Sequence, residues 1–510
     1  MRLPANWLDR VTAPVAPIWT LRRQRARLGA TLLARHFEAA ATGRRTANWY
    51  RLNTDANAAQ GPALAYLRAT ARDLVRNNPY AESALTTIED HVVGWGIEAK
   101  PVPKESPFVD LWKAWADSTA CDADNRSDFV GLQALVMRTV AESGECLVRR
   151  RWRRLEDGFP LPLQLQILEP DFLDTSKDVD GVNGHKTIQG VEFDALGRRV
   201  AYWLFREHPG SSRLSTSGSS YRVPATDVLH VFRTTRAGQV RAATLFASVL
   251  LRFKDFDEFE DATLMKQKIA ACLAVITSDV DGNSAPLGEA ADTEDPPTDT
   301  LAPGMILNVS PGRTVDVVNP PSVRDYDPYT TNMLRAIATG LGIGFEDLTG
   351  NYTNMPFSAA RMSRLRFRAR VDGWRWKMLV PQFCTPAWGW AVDAAMILKG
   401  VELGPRPAVR WTAPPPAMIE PDKEGLAHQR LRRNGLRSSS ESIRELGYDP
   451  DEVFAEIAAE NKTLDDLGIV LDSDPRKMTQ AGQAQGSPAA KADVDTAKKK
   501  AQSDSSEDDE

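Results

Sequence analysis

Histidine and cysteine are scarce in this 510-residue chain, six of the first and four of the second, and their placement excludes most of the chemistry they support. The histidines fall at 36, 91, 185, 208, 230 and 428, and no two stand at the short helical spacing of a zinc site. Cys121, Cys146, Cys272 and Cys384 form no C-x-x-C pair, so free buried thiols in a reducing cytoplasm are expected. No apolar run is long enough to cross a bilayer, and the N-terminus has no contiguous apolar segment of the signal-peptide kind. The chain is expected to be made and used in a cytoplasm, or in a particle assembled there.

Phosphate-binding loops are missing too. The stretch 181–187 ends in Lys-Thr, but His185 separates Gly184 from Lys186, and a phosphate cradle needs glycine directly before the lysine. Gly94-x-Gly96 and Gly340-x-Gly342 lack the third glycine of a dinucleotide fingerprint; Ala99 and Phe345 stand there. An ATP motor is excluded on these grounds. A basic surplus is absent as well. The net charge is −5, which argues against tight binding of DNA by phosphate neutralisation but suits a wall past which DNA slides. Glu169, Asp171 and Asp174 form an acidic set that could hold Mg²⁺ as in a nuclease. Glu-Pro-Asp-Phe-Leu-Asp at a strand end reads more simply as a turn whose aspartates cap local backbone groups. No catalytic residue, metal or cofactor is expected.

What remains is a layout. Residues 1–60 are rich in Arg and Ala, with Arg22, Arg23, Arg25 and Arg27 close together, either a basic surface helix or an arm for capsid or nucleic acid. Leu64, Leu67, Ala71, Leu74 and Val75 keep helical spacing up to Asn78-Pro79, and a second helix runs through Ala84, Leu85, Ile88 and Val92. Two more helices are expected at 108–115 and 129–143. From Glu145 the period becomes two, and strands with one wet face follow, including a hairpin around Asp194-Ala-Leu-Gly197 and a short strand at 228–232. The block 100–240 is α+β. Residues 210–220 read as a mobile Ser/Gly loop.

Residues 242–276 hold no Gly or Pro and predict one helix of about 50 Å. Phe246, Val249, Leu250, Phe253 and Phe256 share a face, and Asp255, Glu258 and Asp261 lie elsewhere. An acidic, Pro-rich insertion (284–303) is followed by short strands at 305–309 and 314–318, and a helix returns at 328–341. Gly340, Gly342, Gly344 and Gly350 punctuate a loop. A basic helix over 358–380 carries an apolar stripe of Phe367, Val371, Trp374 and Met378, flanked by arginines including Arg364, Arg368 and Arg375; Pro381 and Pro386 should kink or break its path. Pro414-Pro-Pro416 is a stiff connector to a small helical region, 421–470, and the polar residues 473–510 should be disordered.

Short segments then match a known family in order: Leu74-Val-Arg-Asn-Asn-Pro-Tyr80, Val92-Val-Gly-Trp-Gly-Ile97, Glu142-Ser-Gly-Glu145, Leu163-Gln-Leu-Gln-Ile-Leu-Glu-Pro-Asp-Phe-Leu173, Gly190-Val-Glu-Phe-Asp-Ala-Leu-Gly-Arg-Arg-Val-Ala-Tyr202, His208-Pro-Gly210, Arg222-Val-Pro224, His230-Val-Phe232, Arg236-Ala-Gly-Gln239, Leu334-Arg-Ala-Ile-Ala338, Leu348-Thr-Gly350 and Phe357-Ser-Ala-Ala-Arg361. Over about 60–470 the chain resembles the lambda-type portal proteins of tailed bacteriophages. The resemblance implies a basic N-terminal arm (1–60), an α+β wing (61–241), a stem of two helices (242–276 and 325–342), a small α/β clip with the flexible acidic insertion (277–324), a tunnel loop (343–358), a long kinked wing helix (359–413), a helical crown (414–472) and a disordered tail (473–510).

It also implies a homo-oligomeric ring, usually of twelve subunits, at the portal vertex of the capsid in the virion, assembled in the host cytoplasm. The implied role is structural. The ring nucleates assembly with the major capsid and scaffold proteins and docks the terminase large subunit. It passes double-stranded DNA inward during packaging and outward during ejection, and binds head–tail connector or adaptor proteins, without touching a membrane. Asn351, Tyr352, Thr353, Asn354, Met355 and Phe357 would approach the DNA. Arg361 and Arg364 would touch phosphates transiently or pair with carboxylates of a neighbouring subunit. Asp255, Glu258 and Asp261 would line the stem channel. The family commonly has an acidic residue after the Gly350 position and Asn before the aromatic; here Asn351 and Pro356 stand there, which changes the charge and stiffness of the loop. Two other readings stay open from residues alone: a nuclease built on the Asp171 set, and a capsid or adaptor protein without a channel.

Overall fold

A computed structural model describes residues 53–102, 106–181, 184–212, 219–271, 275–279, 313–317, 326–353, 355–398, 407–415 and 418–471, with isolated positions at 16, 18, 20, 22, 23 and 476. The chain divides into two units, Met1–Ala59 and Gln60–Glu510. In the first, helical geometry is described at 18, 20, 22 and 23, inside the expected basic helix. The insertion at 284–303, the strand expected at 305–309, most of the 210–220 loop, Cys272 and the tail beyond 476 lie outside the described residues.

In the second unit, helix α1 (Leu64–Asn77) and helix α2 (Pro79–Val92) meet at Asn78. Proline cannot donate to the preceding turn, and the Asn78 side chain accepts from the Tyr80 and Ala81 amides, so one helix ends where the next is capped. Strand β1 (Glu98–Val102) leads to α3 (Phe108–Ala116) and α4 (Phe129–Ser143), which starts under the Asp128 cap and stops at Gly144. Then come β2 (Glu145–Trp152) and β3 (Leu163–Leu168). The short strands β4 (Val179–Asp180), β5 (Lys186–Ile188), β6 (Val191–Phe193), β7 (Arg199–Leu204) and β8 (Tyr221–Pro224) form one antiparallel sheet in sequence order. Strand β9 (Val228–Phe232) returns to β2, so a second sheet reads β3-β2-β9, antiparallel throughout.

Strand β2 was expected to keep one wet face, yet Cys146, Leu147 and Val148 are all buried. The reason is that β2 lies between two cores. Cys146 and Val148 face the larger one with α2, α3 and α4, while Leu147 joins Val191, Tyr202 and Leu204 in the smaller one. Only the second half of the strand, with its arginines, reaches toward solvent.

Helix α5 (Leu250–Ala271) is shorter than the 242–276 helix the sequence predicts, about 33 Å rather than 50. Residues 242–244 are held extended against the buried Glu145, and Thr244 caps a tight turn over Leu245–Ser248. At the far end the chain has already become strand β10 (Val275–Asp279), which pairs antiparallel with β11 (Arg313–Val317). Helix α6 (Tyr326–Leu341) returns antiparallel to α5: Phe259 meets Tyr326 and Tyr329, and Gly340 sits against Val249. The expected glycine-punctuated loop contains a helix of its own, α7 (Phe345–Thr349), capped by Gly350 in the left-handed conformation.

The basic helix does not break at its prolines. Helix α8 (Phe357–Trp374) passes into ten residues of π-helix (Arg375–Cys384) and on into α9 (Thr385–Ala395). The wider turn, with the Thr385 amide reaching back to Val380, carries the chain past Pro381 without ending the helix, although the proline itself still donates nothing to it. Pro386 falls in the first turn of α9, where no donor is needed. The stripe of Phe367, Val371, Trp374 and Met378 is buried as expected. It completes the larger core, so residues 61–241 do not close a core without the long helix. Trp388 stacks on Trp112 and Phe108, and Phe383 on Phe129; each such aromatic contributes roughly 1.5–3 kcal/mol by burial. Strand β12 (Ala408–Thr412) pairs with β1, and three helices follow: α10 (Pro421–Arg433), α11 (Ser439–Glu445) and α12 (Pro450–Asp466). The whole is a mixed, α+β architecture. The three cysteines described, Cys121, Cys146 and Cys384, are buried free thiols.

Gly144 tests the join between α4 and β2. Its φ is +92°, and an added Cβ would lie 2.5 Å from the Ala243 carbonyl carbon. Gly144→Ala should cost more than about 2 kcal/mol, read as a lower midpoint in chemical or thermal unfolding; an unchanged midpoint would show that the join relaxes freely.

Candidate functional site

The loop expected to carry function is anchored before it is exposed. Leu348 of α7 is buried, and the Ser83 and Thr87 hydroxyls of α2 donate to the Leu348 and Asp347 carbonyls at 3.1 and 3.4 Å. Beyond Gly350 the chain makes a tight turn. The Asn351 amide donates to Thr349 Oγ1 at 3.2 Å, and the Asn351 side chain accepts from the Thr353 amide at 3.0 Å. Asn354 lies outside the described residues. Pro356 then opens α8, its carbonyl accepting from Ala359 and Ala360. Asn351, Tyr352, Thr353 and Phe357 are exposed and Met355 is half-buried. Tyr352, Phe357, Met362 and Leu365 are each at least 50% exposed, a run of apolar side chains that this single chain leaves uncovered.

The two arginines behind the loop differ. Arg361 reaches Glu420 of its own chain at 3.4 Å, whereas Arg364 is exposed with no carboxylate at ion-pair distance among the described residues. Arg375, expected on the outer flank, is buried instead. Its guanidinium donates to the carbonyls of Val92 (2.7 Å), His91 (2.8 Å) and Pro414 (3.1 Å), closing the C-terminal end of α2 and holding the proline connector. A basic run hid it, because nothing in the spacing distinguishes one arginine that must turn inward.

On the helical pair, Asp255, Glu258 and Asp261 are exposed at intervals of three residues, away from the buried Phe253 and Phe256. Lys254 pairs with Glu258 at 3.6 Å. Asn78, already the cap of α2, also donates to Asp257 at 2.7 Å, tying the pair to the body. Burial pushes the Asp257 and Glu260 carboxyls upward, aided by the charge of Asp261 at Asp257 and by those of Asp257 and Asp261 at Glu260.

The acidic set divides. Asp174 does act as a local cap, accepting from the Ser176 amide and from the Ser176 and Ser220 hydroxyls. Asp171 does not: it pairs with Arg68 at 3.1 Å and Arg72 at 2.7 Å, and these two guanidiniums outweigh burial and hold its carboxyl below the ordinary range. Glu169, Asp171 and His208 come close enough to offer three ligand atoms to a cation. Arg72 bonds both carboxylates, however, so the space between them is already taken by positive charge. That geometry fits an ion-pair tie between α1 and the strand end and does not fit a nuclease centre.

Sequence reasoning missed the most deeply buried polar group. Glu145, at the start of β2, is fully buried and accepts from Arg241 Nε at 2.7 Å, His230 Nε2 at 2.8 Å and the Ala242 amide at 3.3 Å. Arg199 Nη1 lies 3.1 Å from His230 Nδ1, so that nitrogen accepts and the ring is neutral, its proton on Nε2 toward Glu145. Burial pushes the His230 pKa down to about 4. Burial alone would raise Glu145, but Arg241 and His230 hold it well below the carboxylate range. Glu145, His230 and Arg241 are far apart in sequence, and the one visible signal was a carboxylate directly before the apolar run Cys146-Leu-Val148.

With this geometry in place, the comparisons are direct. Residues 42–375 match the model of the phage portal protein, lambda family, and the chain belongs to that family. It is 26% identical over 448 residues to the probable portal protein of Halomonas phage phiHAP-1, covering 82% of this chain and 83% of that one. It is 25% identical to the portal protein of Escherichia phage N15 (81% and 87%) and 25% identical to portal protein B of Escherichia phage lambda (62% and 66%). Among solved structures it is similar to a chain from the neck of a native GTA particle computed with C12 symmetry, at 13% identity and a TM-score of 0.45, over 76% of this chain and 94% of that one.

The Glu145 centre makes stability acid-sensitive. His230 takes up a proton on unfolding between its ordinary 6.5 and about 4, and Glu145 does so below the ordinary carboxylate value, so both contributions fade as pH falls. The unfolding midpoint should drop from pH 7 to pH 4.5. At pH 7, Glu145→Gln should cost about 3–5 kcal/mol by leaving Arg241 buried without its counter-charge; equal midpoints in a denaturant titration would mean the pair contributes nothing.

Proposed function

We propose that this chain is the subunit of a closed ring at one vertex of a phage capsid, a conduit for double-stranded DNA that performs no catalysis. The observation that carries the reading is the α5–α6 pair. It exposes Leu251 (77%), Leu264 (49%) and Met265 (58%) together with the row Asp255, Glu258 and Asp261. An isolated pair gains nothing from an apolar surface in water; copies arranged around an axis bury it against one another. Leu264 lies off the acidic stripe and is the side chain a neighbouring copy covers, while Leu251 and Met265 share the face of Asp255 and Glu258, which on this reading lines the lumen, repels phosphates and lowers adhesion.

On this reading twelve copies form the ring. A separate ATP-driven terminase large subunit docks at the end of the molecule that holds β10 and β11, and drives DNA inward. Head–tail connector proteins later replace it, and the same ring starts capsid assembly with the major capsid and scaffold proteins. The turn at 351–356 is the closest approach to DNA. Arg364 is one of the exposed cations free for brief phosphate contacts, while Arg361 is engaged by Glu420. The absence of a P-loop in the sequence supports a passive role.

End views of the purified protein in negative stain should show a closed ring with an axial hole; a sheet-like lattice or open chains would sink the proposal. Deleting residues 351–355, which lie between α7 and α8, should leave rings intact while reducing DNA-filled heads in an in vitro packaging assay. Filled heads at the parental yield would remove the loop from the mechanism.

A further inference from the structure

We infer that the helices after Pro421 form a head-to-tail contact between copies of this chain, the α10 face of one copy resting on the α12 face of the next. The inference rests on the ring proposed above and supplies one of its contacts. On α10, Leu426, Arg430 and Arg433 follow at intervals of four and three residues and therefore share one side of the helix. All three are exposed, Leu426 by 48%. The ion pairs of this region run elsewhere, between Lys423 and Glu420, Arg437 and Glu445, and Arg444 and Glu441. Among the described residues neither Arg430 nor Arg433 has a carboxylate at ion-pair distance.

Helix α12 presents the complementary pattern. Val453, Ile457 and Leu464 form an apolar row with Phe454 beside it; Glu452 and Glu456 each stand one residue before a member of that row, and Glu460 stands four before Leu464. Phe454 and Ile457 are 43% and 44% exposed, and Pro450 is the one buried residue of the helix. Glu452 approaches Lys100 at 3.9 Å, but Glu456 and Glu460 are exposed and have no cation at ion-pair distance among the described residues.

Each face thus has an apolar centre bordered by charge, positive on α10 and negative on α12. The charged pairs match in scale: Arg430 to Arg433 and Glu456 to Glu460 each span about one helical turn, roughly 5 Å. Guanidinium on carboxylate is the strongest of the side-chain pairings available here. Leu426, Arg430 and Arg433 on one helix and Phe454, Glu456, Ile457 and Glu460 on the other are exposed in a single copy, with Val453 and Leu464 half-buried, so neither face covers the other. Two different complementary faces on one chain make a heterologous contact, which propagates around an axis, whereas a twofold dimer needs one self-complementary patch. A second copy of this chain is therefore the occupant that the charges select.

The test uses the full chain and three variants: Arg430→Glu with Arg433→Glu, Glu456→Arg with Glu460→Arg, and all four together. Assembly is followed by sedimentation velocity over a concentration series. Each double variant should raise the concentration for half-assembly at least about tenfold, and the fourfold variant should recover most of the loss. Doubles that assemble like the parent, or a fourfold variant no better than the doubles, would overturn the contact while leaving the ring standing. A parent chain that stays monomeric at every concentration would overturn the ring and the contact with it. Should a double variant fail to fold, chains carrying Arg430→Cys mixed with chains carrying Glu456→Cys give a second readout. A disulfide-linked pair in the mixture, absent from either chain alone, supports the contact; its absence in assembled rings refutes it.

Discussion

A single buried carboxylate sets the geometry of this molecule. Glu145 is out of contact with water, and an isolated charge there would cost several kcal/mol. The fold answers by bringing Arg241, His230 and the Ala242 amide onto its two oxygens, with Arg68 of α1 at 3.6 Å. Those partners come from three separate stretches of chain. Arg241 also donates to the Gln189 and Pro170 carbonyls, and Arg199 reaches the Val240 carbonyl, so the five-stranded sheet is tied to the same point. The two cores can meet along β2 only because this knot lies between them. It also fixes residues 242–244, and with them the place and angle at which α5 leaves the body.

A second buried cation does for the loop what Glu145 does for the helical pair. Arg375 closes the last carbonyls of α2 and holds Pro414, which fixes α2 against the π-helical turn. Ser83 and Thr87 of that same helix hold α7, and α7 ends at Gly350. The turn at 351–356 therefore projects from a rigid base although its own side chains are exposed. Rigidity at the base and exposure at the tip are what a contact that must form and release repeatedly requires, because little ordering entropy is spent on each encounter.

Much of this was legible in the sequence wherever a local rule applied. Helical period, the Asn78-Pro79 boundary, the Asp194 hairpin and the stripe from Phe367 to Met378 depend on residues within a few positions of one another, and they stand where expected. The failures share one cause: each depended on a partner far away in the chain. Nothing between 242 and 249 forbids a helix except Glu145 across the fold. Pro381 breaks an α-helix by rule, and the rule lapses once the turn widens to accommodate tertiary packing. Arg375 looks like its neighbours until α2 supplies two carbonyls and Pro414 a third. The glycines from 340 to 350 suggested a loop, and the short helix among them is held by hydroxyls from more than 250 residues earlier. The outward placement of Asp255, Glu258 and Asp261 was legible because a helix face is a local property; what they face in an assembly is not.

Symmetry multiplies whatever charge one copy exposes, and this bears on how a ring could guide DNA without holding it. Each phosphate neutralised adds a counterion-release step to the affinity, so a ring that offered two free arginines per copy would grip far more tightly than one offering a single arginine. Here Glu420 engages Arg361, while Arg364, Arg366 and Arg368 are exposed with no carboxylate at ion-pair distance among the described residues, so the pairing lowers the number of free cations behind the loop by one. An exposed pair of this kind is weak, about 0–1 kcal/mol, and it can yield to a phosphate that comes close. The arrangement therefore favours many shallow contacts over a few deep ones. The acidic row on α5 acts in the same direction farther along the path, raising the energy of any phosphate that lingers. On this reading the net charge of −5 reflects a division of labour along one channel, with weak attraction at the loop and mild repulsion along the helices, and neither is strong enough to stop a strand driven from outside.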